Sequence, residues 1–342
     1  MKPKAPGKLS QPGHREMMRT ITLEEHYASP ALLDGPGRKL REMARMAGRF
    51  GYGNLIEDLT DLGDTRIAEM DAAGIDMQVL SLTDPSVQQL DAPAAIELAR
   101  EANDYLAEAV RRYPQRFAGF ATLPTAAPDV AAGELERMVT EYGFRGGWIN
   151  GHTRGRYLDD KFFWPILERA EALRVPLYIH PTMPPEPVVE AYYAGFSPEV
   201  TNGLSRQGWG WHIETAVHVI RLILSGAFDR FPGLQIVIGH MGEALPFMMP
   251  RTDNVLSTKI TKLDRPFADY LREHIYYTFS GFNFTPTFLN LYLQVGADRI
   301  MFSADYPYCP MAQARRFLDQ LPVSLADKHK IAHGNAEHLL RL

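Results

Sequence analysis

Residues 20–26 read TITLEEH, a short run of apolar and β-branched side chains that ends in two carboxylates and a histidine. Three later runs have the same form, with apolar residues followed by one titratable side chain: PLYIH at 176–180, QIVIGH at 235–240 and RIMFSAD at 299–305. Short apolar runs of this kind, bounded by turn residues, are typical of strands buried in a parallel sheet. The sequence therefore places titratable side chains at the ends of several buried strands.

Eight such runs occur along the chain, and they are separated by stretches with helical spacing. The runs are 20–25, 76–82, 117–123, 144–150, 176–180, 235–240, 275–280 and 299–305. Between the second and third runs, apolar residues recur at steps of three or four from Ala95 to Tyr113, which predicts an amphipathic helix. Eight alternating strands and helices predict an α/β protein with a single (β/α)8 barrel over residues 20–342.

Two segments are longer than this repeat requires. Residues 34–59 follow the first strand and residues 183–211 follow the fifth, so both lie at the face where the strands end. We expect them to form lids or walls of a pocket, the alternative being simple surface loops. Residues 1–19 are rich in Lys, Arg and Pro and lack the apolar stretch of a signal peptide, so they are predicted to form a flexible N-terminal arm.

Composition restricts the class of protein. The 342 residues are 45% apolar and 23% charged, which is ordinary for a globular protein, and the net charge is −5. This charge balance, with both signs interleaved, argues against nucleic acid as a partner. The most apolar segment, 216–228, is too short and too often interrupted to span a membrane. The single cysteine, Cys309, cannot form an intrachain disulfide, and we expect a cytoplasmic protein.

Side chains at the carboxyl ends of barrel strands face one common mouth. The first strand contributes Glu24 and His26, which regular alternation places on the same side, with Glu25 on the opposite side. The titratable side chains at the ends of the fifth, sixth and eighth strands are His180, His240 and Asp305. A lone histidine there is more often structural and a lone aspartate is often a helix cap, but the coincidence of four such strands favours a metal site.

The chemistry of these side chains limits the metal. Nitrogen and oxygen ligands without sulfur suit one divalent ion, Zn²⁺ or Mn²⁺. The fourth strand ends in Asn150 and offers no lysine that could be carbamylated to bridge two ions, which favours a single ion. His240 is then left as an acid or a base. His212 and His218, on the helix after the second long segment, are expected at the surface or at an interface.

Four motifs of this chain resemble those of the amidohydrolase superfamily, within it the metal-dependent non-oxidative decarboxylases of γ-resorcylate, o-pyrocatechuate and aminocarboxymuconate semialdehyde. The motifs are LEEH at 23–26, YIHP at 178–181, GHMGEALP at 239–246 and FSADYP at 302–307, and the resemblance extends from about residue 21 to the C-terminus. The semialdehyde decarboxylases and most hydrolases of the superfamily begin with His-x-His, where this chain has Glu24-x-His26. It is therefore most similar to the γ-resorcylate and o-pyrocatechuate enzymes.

This resemblance implies roles for individual residues. The implied metal ligands are Glu24, His26, His180 and Asp305. His240 would work beside Asp305, Glu243 would orient His240, and Arg251 would contact the substrate. Glu243 is alternatively a first-turn residue favoured by a helix dipole, and Arg251 a plain surface arginine. Pro246 and Pro250 are expected to disrupt the helix before Arg251 and so turn its guanidinium over the mouth.

The resemblance also implies an activity, namely a carboxy-lyase that converts an ortho-hydroxylated benzoate to the phenol and CO2. Its cofactor would be one divalent ion, Zn²⁺ or Mn²⁺, with no organic cofactor, and its partner a small aromatic carboxylate. It implies a homodimer or homotetramer, for which the aromatic and Met-rich segments 191–211 and 247–249 offer apolar contacts.

Two other functions stay open at this point. The same metal and His240 would also serve a hydrolase or hydratase that activates water, and release of CO2 separates that reaction from decarboxylation. The third is a barrel that keeps a structural metal and serves as a binding or assembly module. In such a protein His240 could be removed without consequence.

Overall fold

A computed structural model describes residues 18–40 and 54–342 of the chain. Residues 1–17 of the expected flexible arm lie outside the described residues. So do residues 41–53, in the centre of the first long segment expected to wall the pocket.

All eight expected runs form parallel strands, and the third is divided at Phe120 into two short pieces. The strands are β1 (Ile21–Tyr27), β2 (Met77–Leu82), β3 (Phe117–Gly119), β4 (Ala121–Thr122), β5 (Gly147–Asn150), β6 (Leu177–His180), β7 (Ile236–Ile238), β8 (Ile275–Thr278) and β9 (Ile300–Met301). Strands β1 to β3 pair in chain order, as do β4 to β9. The amide of Phe120 donates to Leu80 O at 3.0 Å, so β3 and β4 act as one strand beside β2.

Backbone hydrogen bonds also bring the first and last strands together. Leu23 N donates to Phe302 O at 3.1 Å, and His26 N donates to Tyr306 O at 2.7 Å. The eight strands thus follow one another around a ring, with helices between them. The predicted (β/α)8 barrel is confirmed.

Helices connect the strands and form the outer layer. Their bounds are α1 (Pro30–Asp34), α2 (Leu55–Thr60), α3 (Asp64–Ala73), α4 (Ala92–Arg112), α5 (Pro128–Tyr142), α6 (Trp164–Leu173), α7 (Glu186–Val188), α8 (Pro198–Ser205), α9 (Gly210–Leu224), α10 (Ala227–Arg230), α11 (Leu245–Val255), α12 (Thr258–Thr261), α13 (Phe267–Glu273), α14 (Thr285–Val295), α15 (Met311–Gln320), α16 (Leu325–His329) and α17 (Asn335–Leu340). In the described part of the chain, no helix is long and apolar enough to cross a membrane.

Side chains fill the barrel on both faces of the strands. One face packs inside the barrel, where the buried residues include Ile21, Val79, Trp148, Val237 and Met301. The other face packs against the helices, as the period of two along each strand requires. In the part of the chain that the structure describes, large side chains fill the interior of the barrel, which leaves the mouth as the place for a ligand site in such a fold.

A β-bulge interrupts β1 at Glu24. Leu23 pairs with Val79 and Glu25 pairs with the next residue, Leu80, so Glu24 has no partner in the ladder. The φ angle of Glu24 is +66°, a conformation that costs a residue other than glycine about 1–3 kcal/mol. Since Leu23 faces the barrel interior, an unbroken strand would turn Glu24 outward. Glu24 and His26 lie on the same side and Glu25 on the opposite side, as the sequence predicts. The expected regular alternation is nevertheless wrong, because the extra residue is what turns Glu24 and His26 inward.

Candidate metal centre and substrate cavity

The carboxylate of Glu24 is fully buried, and its two oxygens have different surroundings. Oε2 accepts hydrogen bonds from three hydroxyl groups, those of Tyr178, Thr278 and Ser280. Oε1 has no hydrogen-bond partner and lies 3.4 Å from His180 Nε2. Burial raises the pKa of Glu24, so a nearby positive charge is needed to keep this carboxylate ionised. A carboxylate with one oxygen held and the other bare fits a metal ligand.

Two histidines face this bare oxygen with a ring nitrogen available. His180 Nδ1 lies 2.7 Å from Pro181 O and donates to it, which leaves Nε2 without a proton and directed to Glu24. Burial lowers the pKa of His180 well below its usual range, so the ring is neutral, as a metal ligand must be. His26 Nε2 lies 3.1 Å from Asp305 Oδ1. Ligand atoms of Glu24, His26 and His180 all lie within 4.8 Å of one another.

The loop that carries Asp305 is held by Glu25, to which the sequence assigned no role. Oε1 of Glu25 accepts from the amide of Ala304 at 2.7 Å, and Oε2 accepts from the amide of Tyr306 at 3.1 Å. These two amides flank Asp305, whose φ angle is +66°. The buried Arg66 donates to His26 O at 2.6 Å and lies over the Tyr306 ring. Glu25 therefore fixes Asp305 from behind while Glu24 and His26 face the mouth.

His240 belongs to a hydrogen-bonded group of three side chains. Its Nδ1 donates to Glu243 Oε1 at 2.8 Å, and its Nε2 lies 3.9 Å from Glu24 Oε1. His212 Nδ1 donates to the other oxygen of Glu243 at 2.5 Å. Although burial opposes the charged forms, the charges of Glu243 and Glu24 raise the pKa of His240 to about 10. Burial also opposes ionisation of Glu243, but His240 and His212 outweigh it and lower the pKa of that carboxyl.

The expectation for His212 and His218 is wrong, because both are buried. His212 Nε2 donates to Gln207 O at 3.0 Å while Nδ1 holds Glu243, so the carboxylate cannot rotate away from His240. His218 accepts from the amide of Leu158 at 3.0 Å. A signal was present in the sequence, since the buried positions 212, 215, 219 and 222 of α9 follow a helical period.

The structure does not bring Arg251 to the cavity. Pro246 lies in the first turn of α11, where its missing amide proton costs nothing, and the helix continues through Pro250 to Val255. The expected disruption of this helix is therefore wrong, and Arg251 lies on its exposed side. Contact between Arg251 and a substrate stays a prediction that the geometry of one chain does not support. Arg206 lines the cavity instead.

A cavity of about 330 Å³ lies above these groups at the mouth of the barrel. Its polar lining includes His180, His240, Asp305, Asp84 and Arg206, and its aromatic walls are Trp211, Phe282 and Tyr308. Both long segments contribute to it, the first through Leu40 and Leu55 and the second through Arg206, Gln207 and Trp211, which confirms their predicted role as walls. The volume lies at the small end of ligand sites and suits a compound with a single ring.

This fold and these side chains are those of a barrel enzyme of the amidohydrolase type. Residues 57–342 match the family model described as amidohydrolase, and the chain belongs to that family. It is 39% identical over 333 residues to the γ-resorcylate decarboxylase of Polaromonas sp. strain JS666, an alignment that covers 94% of this chain and 98% of that protein. The resemblance inferred from the four motifs is confirmed.

Solved structures give the same result. The crystal structure of dihydroxybenzoic acid decarboxylase from Polaromonas sp. JS666, with manganese and 2-nitroresorcinol bound, matches with a TM-score of 0.86 at 39% identity, over 95% of this chain and 98% of that chain. The 5-carboxyvanillate decarboxylase of Novosphingobium aromaticivorans, complexed with manganese and 4-hydroxy-3-methoxy-5-nitrobenzoic acid, matches with a TM-score of 0.87 at 36% identity, over 96% and 98% of the two chains. Both relatives bind manganese.

Substitution of Gly239 tests the placement of Glu24. A Cβ at Gly239 would lie 2.9 Å from Glu24 Oε1, closer still to Oε2, and 2.8 Å from Ser280 Oγ. We expect Gly239→Ala to displace the carboxylate and to lower the affinity for a divalent ion by about 10–100-fold, the usual effect of disturbing the support of a ligand. Metal titration of the apoprotein measures this affinity.

The matched control is Gly133→Ala in α5, where a Cβ would meet nothing within 4 Å. This control should bind metal as the unchanged protein does and should unfold at slightly higher denaturant, because alanine is the better helix former. Equal metal affinity in the two variants would contradict the assignment of Glu24.

Proposed function

We propose that this protein is a metal-dependent, non-oxidative decarboxylase that converts an ortho-hydroxylated benzoate to the phenol and CO2. The observation that carries the proposal is the convergence of Glu24, His26, His180 and Asp305 beside His240, at the floor of a cavity that suits one ring. The decarboxylase activity by which the relatives are named, each acting on an aromatic acid, supports it.

The four converging side chains are the ligands we propose for one divalent ion. The fit rests on the buried Glu24 Oε1, which has no hydrogen-bond partner, on His180 Nε2 3.4 Å from it, and on a donor set of nitrogen and oxygen without sulfur. When bound, such an ion supplies positive charge that holds the carboxylate and hydroxyl oxygens of the substrate and offsets their charge. The manganese in both solved relatives favours Mn²⁺ over Zn²⁺.

Two groups handle a proton, His240 and the proposed ligand Asp305. Direct loss of CO2 from the ring would leave an aryl carbanion, so the less costly route protonates the ring carbon that bears the carboxylate before CO2 leaves. We assign Asp305 as the donor to that carbon and His240 as the group that delivers the proton to Asp305. The carboxylate of Glu243 favours a proton on the ring of His240 and fixes the orientation of this ring through Nδ1.

The fate of solvent atoms distinguishes decarboxylation from hydrolysis. With the metal-loaded protein and 2,6-dihydroxybenzoate in D2O, we expect CO2 release and one deuterium at the carbon that carried the carboxylate. In H2¹⁸O, the phenol should contain no ¹⁸O, because no step of the reaction adds water to the ring. Mass spectrometry of the product measures both. A product that contains solvent oxygen, with no CO2 released, would instead support the hydrolase.

Two histidine variants separate metal binding from proton transfer. We expect His180→Ala to lower metal content, because it removes a ligand, and His240→Ala to keep full metal content while turnover falls by about 10²–10⁴-fold. Elemental analysis and CO2 release measure the two effects, and the unchanged protein should hold one ion per chain. Equal metal loss in both variants would overturn this division of roles.

Asp305→Asn should abolish turnover. The metal content of this variant shows whether the loss of turnover comes from loss of the ion or from loss of the proton donor.

We also propose that the protein is a homo-oligomer, either a dimer or a tetramer. The segments 191–211 and 247–249 leave large apolar side chains exposed, with Tyr192 73% and Phe247 74% accessible in the single chain. Exposure of this kind favours burial against another copy. A cytoplasmic location stays a prediction.

Light scattering at micromolar concentration should give two or four times the mass of one chain. Phe247→Asp should shift the protein toward the monomer, since it would bury a charge in the contact. Leu325→Asp, at an exposed position of α16, is the control and should leave the mass unchanged. A monomer in the unchanged protein would refute the proposal.

A further inference from the structure

A second group of side chains that suit a metal ion lies beside the proposed manganese position. Ligand atoms of His212, His240 and Glu243 all lie within 4.8 Å of one another, and all three side chains are buried. The group shares no residue with the four metal ligands proposed above. Two imidazoles and one carboxylate are a donor set that zinc enzymes use.

The two histidines direct the same ring nitrogen at this carboxylate. His212 Nδ1 lies 2.5 Å from Glu243 Oε2, and His240 Nδ1 lies 2.8 Å from Glu243 Oε1. Tetrahedral zinc, with bonds of about 2.1 Å, places neighbouring ligand atoms about 3.4 Å apart. The three side chains would therefore have to separate by less than about 1 Å to hold an ion between them.

His212 already has the support that a metal ligand needs. Its Nε2 donates to Gln207 O at 3.0 Å, which leaves Nδ1 as the nitrogen for an ion. The ring of His212 packs against the rings of His240 and Phe282, with centres 4.7 and 5.0 Å away. Both histidines line the cavity, so an ion can enter from there and a water molecule can complete its coordination.

Charge also permits an ion in this buried place. Each Nδ1 carries the proton of its hydrogen bond to Glu243. A divalent ion that displaces both protons to solvent adds two positive charges and removes two, so the net charge that must be buried does not change. Imidazole ligands suit zinc, whereas oxygen ligands suit manganese, so this group should select Zn²⁺ over Mn²⁺.

We propose that His212, His240 and Glu243 form a second metal site, which binds one Zn²⁺ when zinc is in excess and thereby inhibits the enzyme. Protein loaded with manganese alone still holds one ion per chain. The inhibition, but not the binding, rests on the proposed function. Each turnover consumes a proton, because the carboxylate leaves as neutral CO2. With zinc on Nδ1, His240 keeps only its Nε2 proton and would have to become an imidazolate to give it up.

Zinc binding to the manganese-loaded protein tests the site without turnover. We expect one zinc to be added per chain while manganese is retained, as measured by elemental analysis of both metals after removal of free ions. His212→Ala and Glu243→Gln should each weaken zinc binding by more than the about 10–100-fold of an outer-shell change, and both should keep manganese. Zinc uptake matched by an equal loss of manganese would overturn the proposal, because zinc would then occupy the first site.

The matched control is His218→Ala. His218 lies on the same helix as His212 and is equally buried, but it accepts from the amide of Leu158 and is not part of the group. This variant should take up one zinc as the unchanged protein does. Zinc uptake that persists in both His212→Ala and Glu243→Gln would place the ion elsewhere and overturn the proposal. Anomalous diffraction at the zinc edge locates the ion directly.

Turnover separates failure of this inference from failure of the proposed function. We expect saturating zinc to lower CO2 release from 2,6-dihydroxybenzoate at least about tenfold in the manganese-loaded protein. The activity that His212→Ala retains should not respond to the same zinc concentration. A bound second ion with unchanged CO2 release would overturn the inhibition. If no hydroxybenzoate releases CO2 while zinc binding still depends on His212 and Glu243, the decarboxylase proposal fails and the zinc site remains.

Discussion

The hydrogen bonds to one oxygen of Glu24 are the interaction on which the rest of the site depends. Three hydroxyls, from Tyr178, Thr278 and Ser280, all donate to Oε2. They offset the cost of burying a carboxylate and of its left-handed backbone. Oε1 is left bare toward His180 and His240. Without the bulge at Glu24, the same side chain would point into the layer of helices, and the mouth of the barrel would lose its central carboxylate.

The neighbouring strand ends are fixed by side chains that do not themselves face the metal position. Glu25 holds the two amides on either side of Asp305, and Arg66 ties the carbonyl of His26 to the same region. On the opposite side, His212 holds the far oxygen of Glu243 and so sets the ring of His240. Functional groups that must be positioned to within a few tenths of an ångström need such support, because a side chain that is free to rotate would lose its orientation.

The sequence alone predicted the barrel and most of the site for a simple reason. Buried parallel strands appear as short apolar runs, and the side chain after each run lies at the common mouth. The bulge could not be predicted, since a positive φ at Glu24 is imposed by tertiary contacts and leaves no local pattern. His212 was missed because apolar residues on the more exposed side of α9, such as Val217 and Leu224, follow a helical period as well as the buried side does. Arg206 lies in a segment without a regular hydrophobic period, so the sequence does not predict which of its side chains face the cavity.

Charge balance supports the proposal that a dication and an anionic ring bind together at this site. The carboxylate of Glu243 already has hydrogen bonds from His240 and His212, whereas Oε1 of Glu24 has none. Desolvation makes a buried carboxylate without a partner costly, and the proposed divalent ion would offset that cost. A substrate anion bound beside His240 would add negative charge and so favour the protonated imidazole. The proton would then pass to Asp305 and from there to the ring carbon of the substrate. A cavity with this balance favours an acidic substrate.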